Sequence, residues 1–226
     1  MSIKSNILSI KNEIPDDVQL IAVSKTKPLE ALEEAYQCGI KDFGENKVQE
    51  LIDKYDQFHK DVRWHLIGHL QTNKVKYLVG KVHLIHSLDS IKLLEQIEKV
   101  YSKEKTTARV LIQINIGKEE SKSGIYEEEI PSIIDEIEKC NHVKALGLMV
   151  IIPKGDDESN RYYFKKTKEI WNHLREIQYK NIKMEYLSMG MSGDYKVAIE
   201  EGSNMVRIGE GIFGKRIYKQ EVNENG

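Results

Sequence analysis

Eight short apolar runs, rich in β-branched and aromatic residues, recur along the chain at nearly regular intervals. They lie at 18–24, 40–44, 62–68, 82–88, 109–115, 143–150, 184–189 and 204–209. Most of them are continuously apolar rather than alternating, which is typical of parallel strands that are covered on both faces. Several of the charged segments between them place apolar residues at i, i+3, i+4 and i+7, the pattern of a helix that packs on a sheet.

This alternation of strands and helices constrains the fold class. It predicts an α/β protein with a single (β/α)8, or TIM, barrel, while an open, doubly wound sheet is the alternative that the spacing leaves open. No linker, low-complexity tract or change in composition divides the chain. We therefore expect one domain over residues 1–226 that ends in a polar tail at 216–226.

Charge and composition narrow the possible partners. The chain has 34 Lys and Arg against 36 Asp and Glu, so its net charge of −2 argues against nucleic-acid binding. It has no apolar run of about 18 residues and no signal-peptide pattern at its start. Cys38 and Cys140 form no CxxC pair, which favours a reduced compartment. We expect a soluble, cytoplasmic protein, and a monomer because no apolar stripe is left over.

The ends of the predicted strands carry the residues that could bind a ligand. In a TIM barrel the active face lies at the carboxyl ends of the strands. The first strand ends at Lys25, in the stretch "LIAVSKTKP", and Asn46 follows the second. A lysine in that position is either a solvated charge or a reactive amine that lies over a pocket.

The last two strands predict a phosphate site. The seventh runs into "SMGMSGD", with hydroxyls at Ser188 and Ser192, and the eighth into "RIGEGIFG", with Arg207 on the strand. The turn at Gly209, Glu210 and Gly211 opens a helix, where backbone N–H groups and the helix dipole favour an anion. A phosphorylated aldehyde could therefore bind this turn and form a Schiff base with Lys25, and pyridoxal 5′-phosphate (PLP) is such an aldehyde.

Five motifs, in this order, carry a resemblance to a known family: "AVSKTKP", "FGENKVQE", "WHLIGHLQTNK", "LSMGMSGD" and "VRIGEGIFG". The chain resembles the YggS/PROSC family of PLP-binding proteins over roughly residues 5–215. The resemblance implies an alanine-racemase N-terminal barrel, the PLP fold type III, without the second domain. It also implies a role in intracellular vitamin B6 homeostasis without an established catalytic activity, with PLP-dependent apoenzymes as possible recipients.

The resemblance also implies roles for the site residues. Lys25 would carry PLP as a Schiff base, Asn46 would line the pocket, and Arg207 would face the pyridine nitrogen. Ser188 or Ser192, with the backbone of 209–211, would hold the phosphate. Many relatives have Thr or Ser where this chain has Glu210, so we expect the Glu210 carboxylate to turn away from the phosphate and to weaken its binding.

Two enzymatic alternatives remain beside the carrier. One is a PLP-dependent amino-acid racemase-like enzyme, although the twelve polar residues after Gly214 are too few for the second domain of such racemases. The other is a cofactor-free Schiff-base aldolase, for which Arg207 has no obvious role.

No metal site is predicted, because His65 and His69 lack a third ligand at a suitable spacing. The sequence also places His83 and His86 on opposite faces of their strand.

Overall fold

Each of the eight apolar runs forms a strand of one sheet in the computed structural model, which describes residues 2–215. The strands are β1 (Gln19–Val23), β2 (Asp42–Glu45), β3 (Arg63–Leu66), β4 (Leu84–Leu88), β5 (Ala108–Ile114), β6 (Val143–Val150), β7 (Ile182–Ser188) and β8 (Met205–Ile208). Every strand pairs in parallel with the next, and β8 pairs with β1, so the sheet closes on itself. The predicted TIM barrel is confirmed, and the open-sheet alternative is wrong.

Helices surround the barrel, and most connect one strand to the next. They are α1 (Ile3–Glu13), α2 (Leu29–Gln37), α3 (Val48–Gln57), α4 (Ile91–Lys103), α5 (Ile130–Lys139), α6 (Asp157–Arg175), α7 (Tyr195–Glu200) and α8 (Glu210–Phe213). The segment after β3 forms a 3₁₀ helix, Thr72–Tyr77, and a short 3₁₀ turn, Glu127–Glu129, precedes α5. Such tight helices serve as short connectors.

The hydrophobic core has two layers that the barrel wall separates. The outer layer lies between the strands and the helices and contains most of the buried apolar side chains. The inner layer fills the barrel, and its buried members are Ile21, Leu84, Leu111, Met149 and Met205. Several polar side chains are also fully buried, so the interior of the protein is not purely apolar.

The described part of the chain bears on two other expectations. No helix within residues 2–215 is long and apolar enough to cross a membrane. The polar tail predicted at 216–226 lies outside the described residues, so the domain boundaries stay a prediction.

Candidate functional site

A cavity of about 640 Å³ opens at the carboxyl ends of the strands. Most of the predicted site residues line it, namely Lys25, Asn46, Ser192, Arg207, Gly209 and Glu210. They come from β1, β2, β7 and β8 or from the turns that follow these strands. The structure thus brings together residues that are far apart in the sequence, at the end of the barrel where ligands bind.

Lys25 lies directly after β1, on a backbone that is held on both sides. The Ser24 hydroxyl donates to the Glu45 carboxylate at 2.6 Å, and the Thr26 N–H donates to the Glu50 carboxylate at 2.5 Å. Thr26 has a φ of +64°, a conformation that strains a β-branched residue. Strain of this kind persists only where the surroundings enforce it, and it is concentrated at functional sites.

A buried cluster of charges supports this loop from the outer side of the barrel wall. The Lys54 ammonium on α3 donates to the Ser24 carbonyl at 2.8 Å and forms ion pairs with Glu45 at 2.8 Å and Glu50 at 2.7 Å. Burial raises the pKa of Glu45 to about 7, although Lys54 and the Ser24 hydroxyl both act to lower it. Within residues 2–215, Oε2 of Glu45 has no hydrogen-bond partner.

Arg207 lies on β8 and is only 3% exposed. Its register partner on β1 is Ile21, so Lys25 lies four residues nearer the mouth of the barrel. The guanidinium donates from Nη1 to the Ser188 hydroxyl at 2.6 Å and from Nη2 to the Val150 carbonyl at 2.8 Å. Burial lowers the pKa of Arg207 to about 10, which still leaves it a cation at neutral pH. The cavity therefore has a fixed positive charge in its floor.

The residues predicted to hold the phosphate, here called the phosphate cradle, are Ser188, Ser192 and the turn at 209–211. Most of them line the cavity, whereas Ser188 does not. Ser192 lies on the wall, and its Oγ accepts a hydrogen bond of 3.1 Å from the Gly211 N–H. Glu210, at the start of α8, is exposed where it lines the cavity. Ser188 is fully buried, and its hydroxyl meets Arg207 and His86 instead. A phosphate contact for Ser188 stays a prediction.

Asn46 lies on the wall, and the chain after β3 passes close to its backbone. A Cβ atom added at Gly68 would lie 2.4 Å from the Asn46 carbonyl oxygen, so no other residue fits there without a shift of the backbone. This contact accounts for the glycine in the "WHLIGH" motif.

Sequence reasoning missed several residues of the wall, among them His69, Gln113, Lys122, Ser123 and Lys154. All of them follow β3, β5 or β6 or lie within the last two residues of one of these strands, so the rule that sites lie at strand ends could have found them. The Nδ1 of His69 lies 2.7 Å from the Asp89 carboxylate. Within residues 2–215, no three His, Cys, Asp or Glu side chains are grouped closely enough to hold a metal ion.

The sequence predicted His65 as a hydrogen-bonded core histidine, which is confirmed, but it did not predict that the histidines are grouped. The sequence placed His83 and His86 on opposite faces, but both rings lie against the His65 ring, with centroids 5.4 Å and 5.2 Å away. His83 precedes β4, so the alternation of a strand does not apply to it. Polar residues within otherwise apolar strands were the signal that could have revealed this cluster.

The donors around the cavity suit a phosphorylated aldehyde with an aromatic ring. A primary amine, a planar guanidinium and a serine hydroxyl beside a glycine turn all line this cavity. These groups match a carbonyl, a ring nitrogen and a phosphate, respectively. The volume falls in the range of about 300–1,000 Å³ that small-molecule pockets occupy. The residues that are present therefore fit PLP.

Comparisons with known proteins agree with this chemistry. The family described as alanine racemase, N-terminal domain, matches residues 1–216. The chain is 46% identical over 202 residues to the pyridoxal phosphate homeostasis protein of Aquifex aeolicus, and the match covers 88% of each chain.

Solved structures match the barrel as well. PipY from Synechococcus elongatus is 33% identical, and the match covers 94% of this chain and 100% of PipY. The TM-score is 0.89 for PipY without PLP and 0.86 for PipY with PLP bound. An alanine racemase from Clostridium difficile has a TM-score of 0.74 at 18% identity, over 97% of this chain and 57% of the racemase, which shows a shared fold alone.

Proposed function

Because this chain belongs to the family of pyridoxal phosphate homeostasis proteins, which share the alanine racemase N-terminal domain, we propose that it binds PLP and takes part in vitamin B6 homeostasis. The ligand occupies the cavity at the carboxyl end of the barrel and is held as a Schiff base on Lys25. One observation carries this proposal: Lys25, Arg207 and Ser192 line the same cavity.

Each of these residues has a distinct task. The Lys25 amine captures the aldehyde, and the strained loop around it limits the directions in which the amine can point. Arg207 meets the pyridine nitrogen with a cation, so that nitrogen stays unprotonated and the ring withdraws electrons weakly. Ser192 and the turn at 209–211 hold the phosphate, and Asn46 borders the ring.

A carrier rather than an enzyme fits this arrangement. The curated relatives are named as homeostasis proteins, not as enzymes. A cation facing the ring nitrogen keeps that nitrogen unprotonated and so lowers the capacity of PLP to stabilise a carbanion. We therefore propose that the protein stores PLP and delivers it without a dedicated catalytic step of its own.

The proposal extends to the setting in which the carrier acts. We place it in the cytoplasm as a monomer, with PLP-dependent apoenzymes as the recipients. The two cysteines outside any CxxC pair support the reduced, cytoplasmic setting, and the monomer is supported by the sequence pattern, which leaves no spare apolar stripe. Size-exclusion chromatography with light scattering checks the monomer, and transfer to an apoenzyme, followed by its regained activity, checks the recipient class.

The experiment that tests the proposal is reduction of the loaded protein by borohydride, followed by peptide mass mapping. We expect PLP to produce a visible absorption band and reduction to fix the ligand on Lys25. Lys25→Ala should abolish both while keeping the fold. Lys27→Ala is the matched control, because Lys27 is two residues away and its ammonium donates to the Phe213 carbonyl at 3.0 Å.

The alternatives predict other results in the same samples. Absence of a band together with capture of a phosphorylated sugar would favour the cofactor-free aldolase. Turnover of added amino acids by the loaded protein at an enzymatic rate would favour the racemase-like enzyme. Label on a lysine other than Lys25 would show that Lys25 does not form the Schiff base.

A further inference from the structure

A chain of polar side chains crosses the interior of the barrel and ends at Arg207. Its members are Asp42 on β2, His65 on β3, His86 on β4, Ser188 on β7 and Arg207 on β8. Asp42 is 6% exposed and Arg207 is 3% exposed, while the other three are fully buried. Because a buried polar group without a hydrogen-bond partner is strongly destabilising, the contacts between these groups matter for the fold.

The hydrogen bonds of this chain have one direction in which every buried proton has an acceptor. The Arg207 guanidinium donates to the Ser188 Oγ at 2.6 Å, and a guanidinium cannot accept a hydrogen bond. The Ser188 hydroxyl must therefore direct its own proton elsewhere. The Nδ1 of His86 lies 3.1 Å from the same oxygen and accepts that proton.

The remaining steps follow from the chemistry of imidazole. A neutral ring has one donor and one acceptor nitrogen, so His86 donates from Nε2 to the Nδ1 of His65 at 3.0 Å. His65 in turn donates from Nε2 to the Asp42 carboxylate at 3.0 Å. Both rings are thereby assigned to the tautomer that carries its proton on Nε2.

The two ends of the chain carry opposite charges. Asp42 is held by Arg63 through bonds of 2.7 Å and 2.5 Å and by the Gln19 amide at 2.8 Å. Although burial acts to raise it, the hydrogen bonds from Arg63 and His65 keep the pKa of Asp42 well below its usual range. A cation at one end and a carboxylate at the other align the intervening dipoles, which strengthens each bond.

The imidazole of His86 stays neutral. Burial, with the Arg207 cation nearby, holds the pKa of His86 well below its ordinary value. A neutral His86 keeps one acceptor toward Ser188 and one donor toward His65 across the physiological pH range. The chain therefore keeps its direction wherever Arg207 is a cation.

We propose that Ser188, His86, His65 and Asp42 form a relay of hydrogen bonds that positions the Arg207 guanidinium against the ligand. Ser188 then acts on the ring through Arg207 and does not contact the phosphate. The relay and the Val150 carbonyl anchor different nitrogens, so together they fix the plane of the guanidinium. This inference rests on the proposed function only in the identity of the ligand.

The relay itself can be tested by NMR on the protein without PLP. In histidine labelled with ¹⁵N, we expect His65 and His86 as neutral rings with the proton on Nε2, assigned with the help of His86→Gln. We also expect separate, slowly exchanging signals for the two Nη groups of Arg207. Ser188→Ala should shift the Nδ1 signal of His86 and merge the Arg207 signals. Unchanged signals in that variant, or a proton on Nδ1 of His86, would overturn the relay.

The consequence for the ligand can be tested with PLP and with pyridoxal, which lacks the phosphate. Ser188→Ala should weaken both by a similar factor, about fivefold to tenfold, the range expected for one hydrogen bond. Ser192→Ala is the matched control and should weaken the binding of PLP while leaving the binding of pyridoxal unchanged. A loss confined to PLP in Ser188→Ala would place Ser188 at the phosphate and overturn the proposal.

A second variant guards against loss of the fold. Ser188→Cys keeps nearly the volume of serine and a weak S–H donor, so we expect losses for both ligands that are smaller than those of Ser188→Ala. Losses for PLP alone in Ser188→Cys would again contradict the relay. If wild-type protein bound neither PLP nor pyridoxal, the proposed function would fail, whereas the NMR result on the relay would stand.

Discussion

The Lys25 loop and the Arg207 strand contribute to one cavity, but the fold holds them in different ways. Lys25 follows β1 on a loop with a strained Thr26, and ionised side chains outside the barrel wall anchor that loop. Arg207 lies within β8, and a serine and two histidines inside the barrel connect it to Asp42. One anchor depends on a buried ion cluster, and the other on a relay of hydrogen bonds whose middle members are neutral.

This difference separates what each region can tolerate. Breaking a buried ion pair by removing one partner leaves an uncompensated charge, so the loop depends strongly on every member of its cluster. The backbone hydrogen bonds of the sheet hold β8 in addition to the relay. Loss of one hydroxyl therefore changes the orientation of the Arg207 guanidinium more than it changes the fold. We therefore expect the region proposed to capture the aldehyde to be more sensitive to mutation and pH than the region proposed to hold the ring.

The largest expected effect comes from Lys54→Met, which removes the cation of the cluster. Glu45 and Glu50 then lie close together without a counter-ion, and the Ser24 carbonyl loses its donor. We expect the free energy of unfolding to fall by about 3–5 kcal/mol, together with weaker capture of PLP. Chemical denaturation measures the first effect and spectral titration the second.

Lys139→Met is the control for that variant, because Lys139 pairs with Glu136 on the surface and its side chain is 68% exposed. Exposed pairs contribute little to stability, so the control should unfold close to wild type. Equal losses in the two variants would mean that the Lys25 loop is not held by its buried charges.

A smaller effect is expected from the pH dependence of the cluster. Glu45 has a pKa of about 7 in the folded protein against 4.5 ordinarily, so the folded state binds its proton more tightly than the unfolded state does. Its contribution to stability is fully present below pH 4.5 and is lost as the pH rises through 7. Relative to Glu45→Gln, which cannot titrate, wild type should lose on the order of 2 kcal/mol over this range.

Urea denaturation of wild type and Glu45→Gln at pH 5 and pH 8 measures that difference. Glu128→Gln serves as a control, because Glu128 is an exposed carboxylate paired with Lys118 and its pKa is lowered. If the difference in free energy of unfolding between wild type and Glu45→Gln stayed constant with pH, Glu45 would remain ionised in the folded cluster.

The smallest effect is expected from Glu210→Thr, at the exposed rim of the same cavity. Removing a carboxylate from beside the phosphate cradle should tighten PLP binding about twofold to fivefold, because an exposed charge is screened by water and salt. Pyridoxal, without a phosphate, should bind both proteins equally. Tighter binding of pyridoxal as well would mean that Glu210 acts on the ring or the aldehyde and not on the phosphate.

Much of this protein was predictable from local sequence. Apolar runs at regular intervals predict the barrel because a parallel strand that is covered on both faces needs a continuous apolar segment. Lys25, Asn46, Ser192 and Arg207 could be placed near one another because the carboxyl ends of all strands in a barrel converge. Neither inference requires knowledge of how any particular side chain packs.

Other features were decided only when the barrel closed. Asp42, His65, His86, Ser188 and Arg207 belong to five strands, and the direction of their hydrogen bonds depends on which rings and hydroxyls meet inside. The sequence left Ser188 and Ser192 as alternative candidates for the phosphate, whereas the tertiary structure buries Ser188 and leaves Ser192 on the cavity wall.

The Lys25 loop shows the same division. The sequence by itself determined that a lysine would stand at the mouth of β1, because it directly follows an apolar run. It did not determine that Thr26 would take a positive φ or that Lys54 would lie beneath the loop. Those features depend on the approach of α3 to the barrel wall, and contacts between segments distant in sequence are set by packing of the whole fold rather than by local propensity.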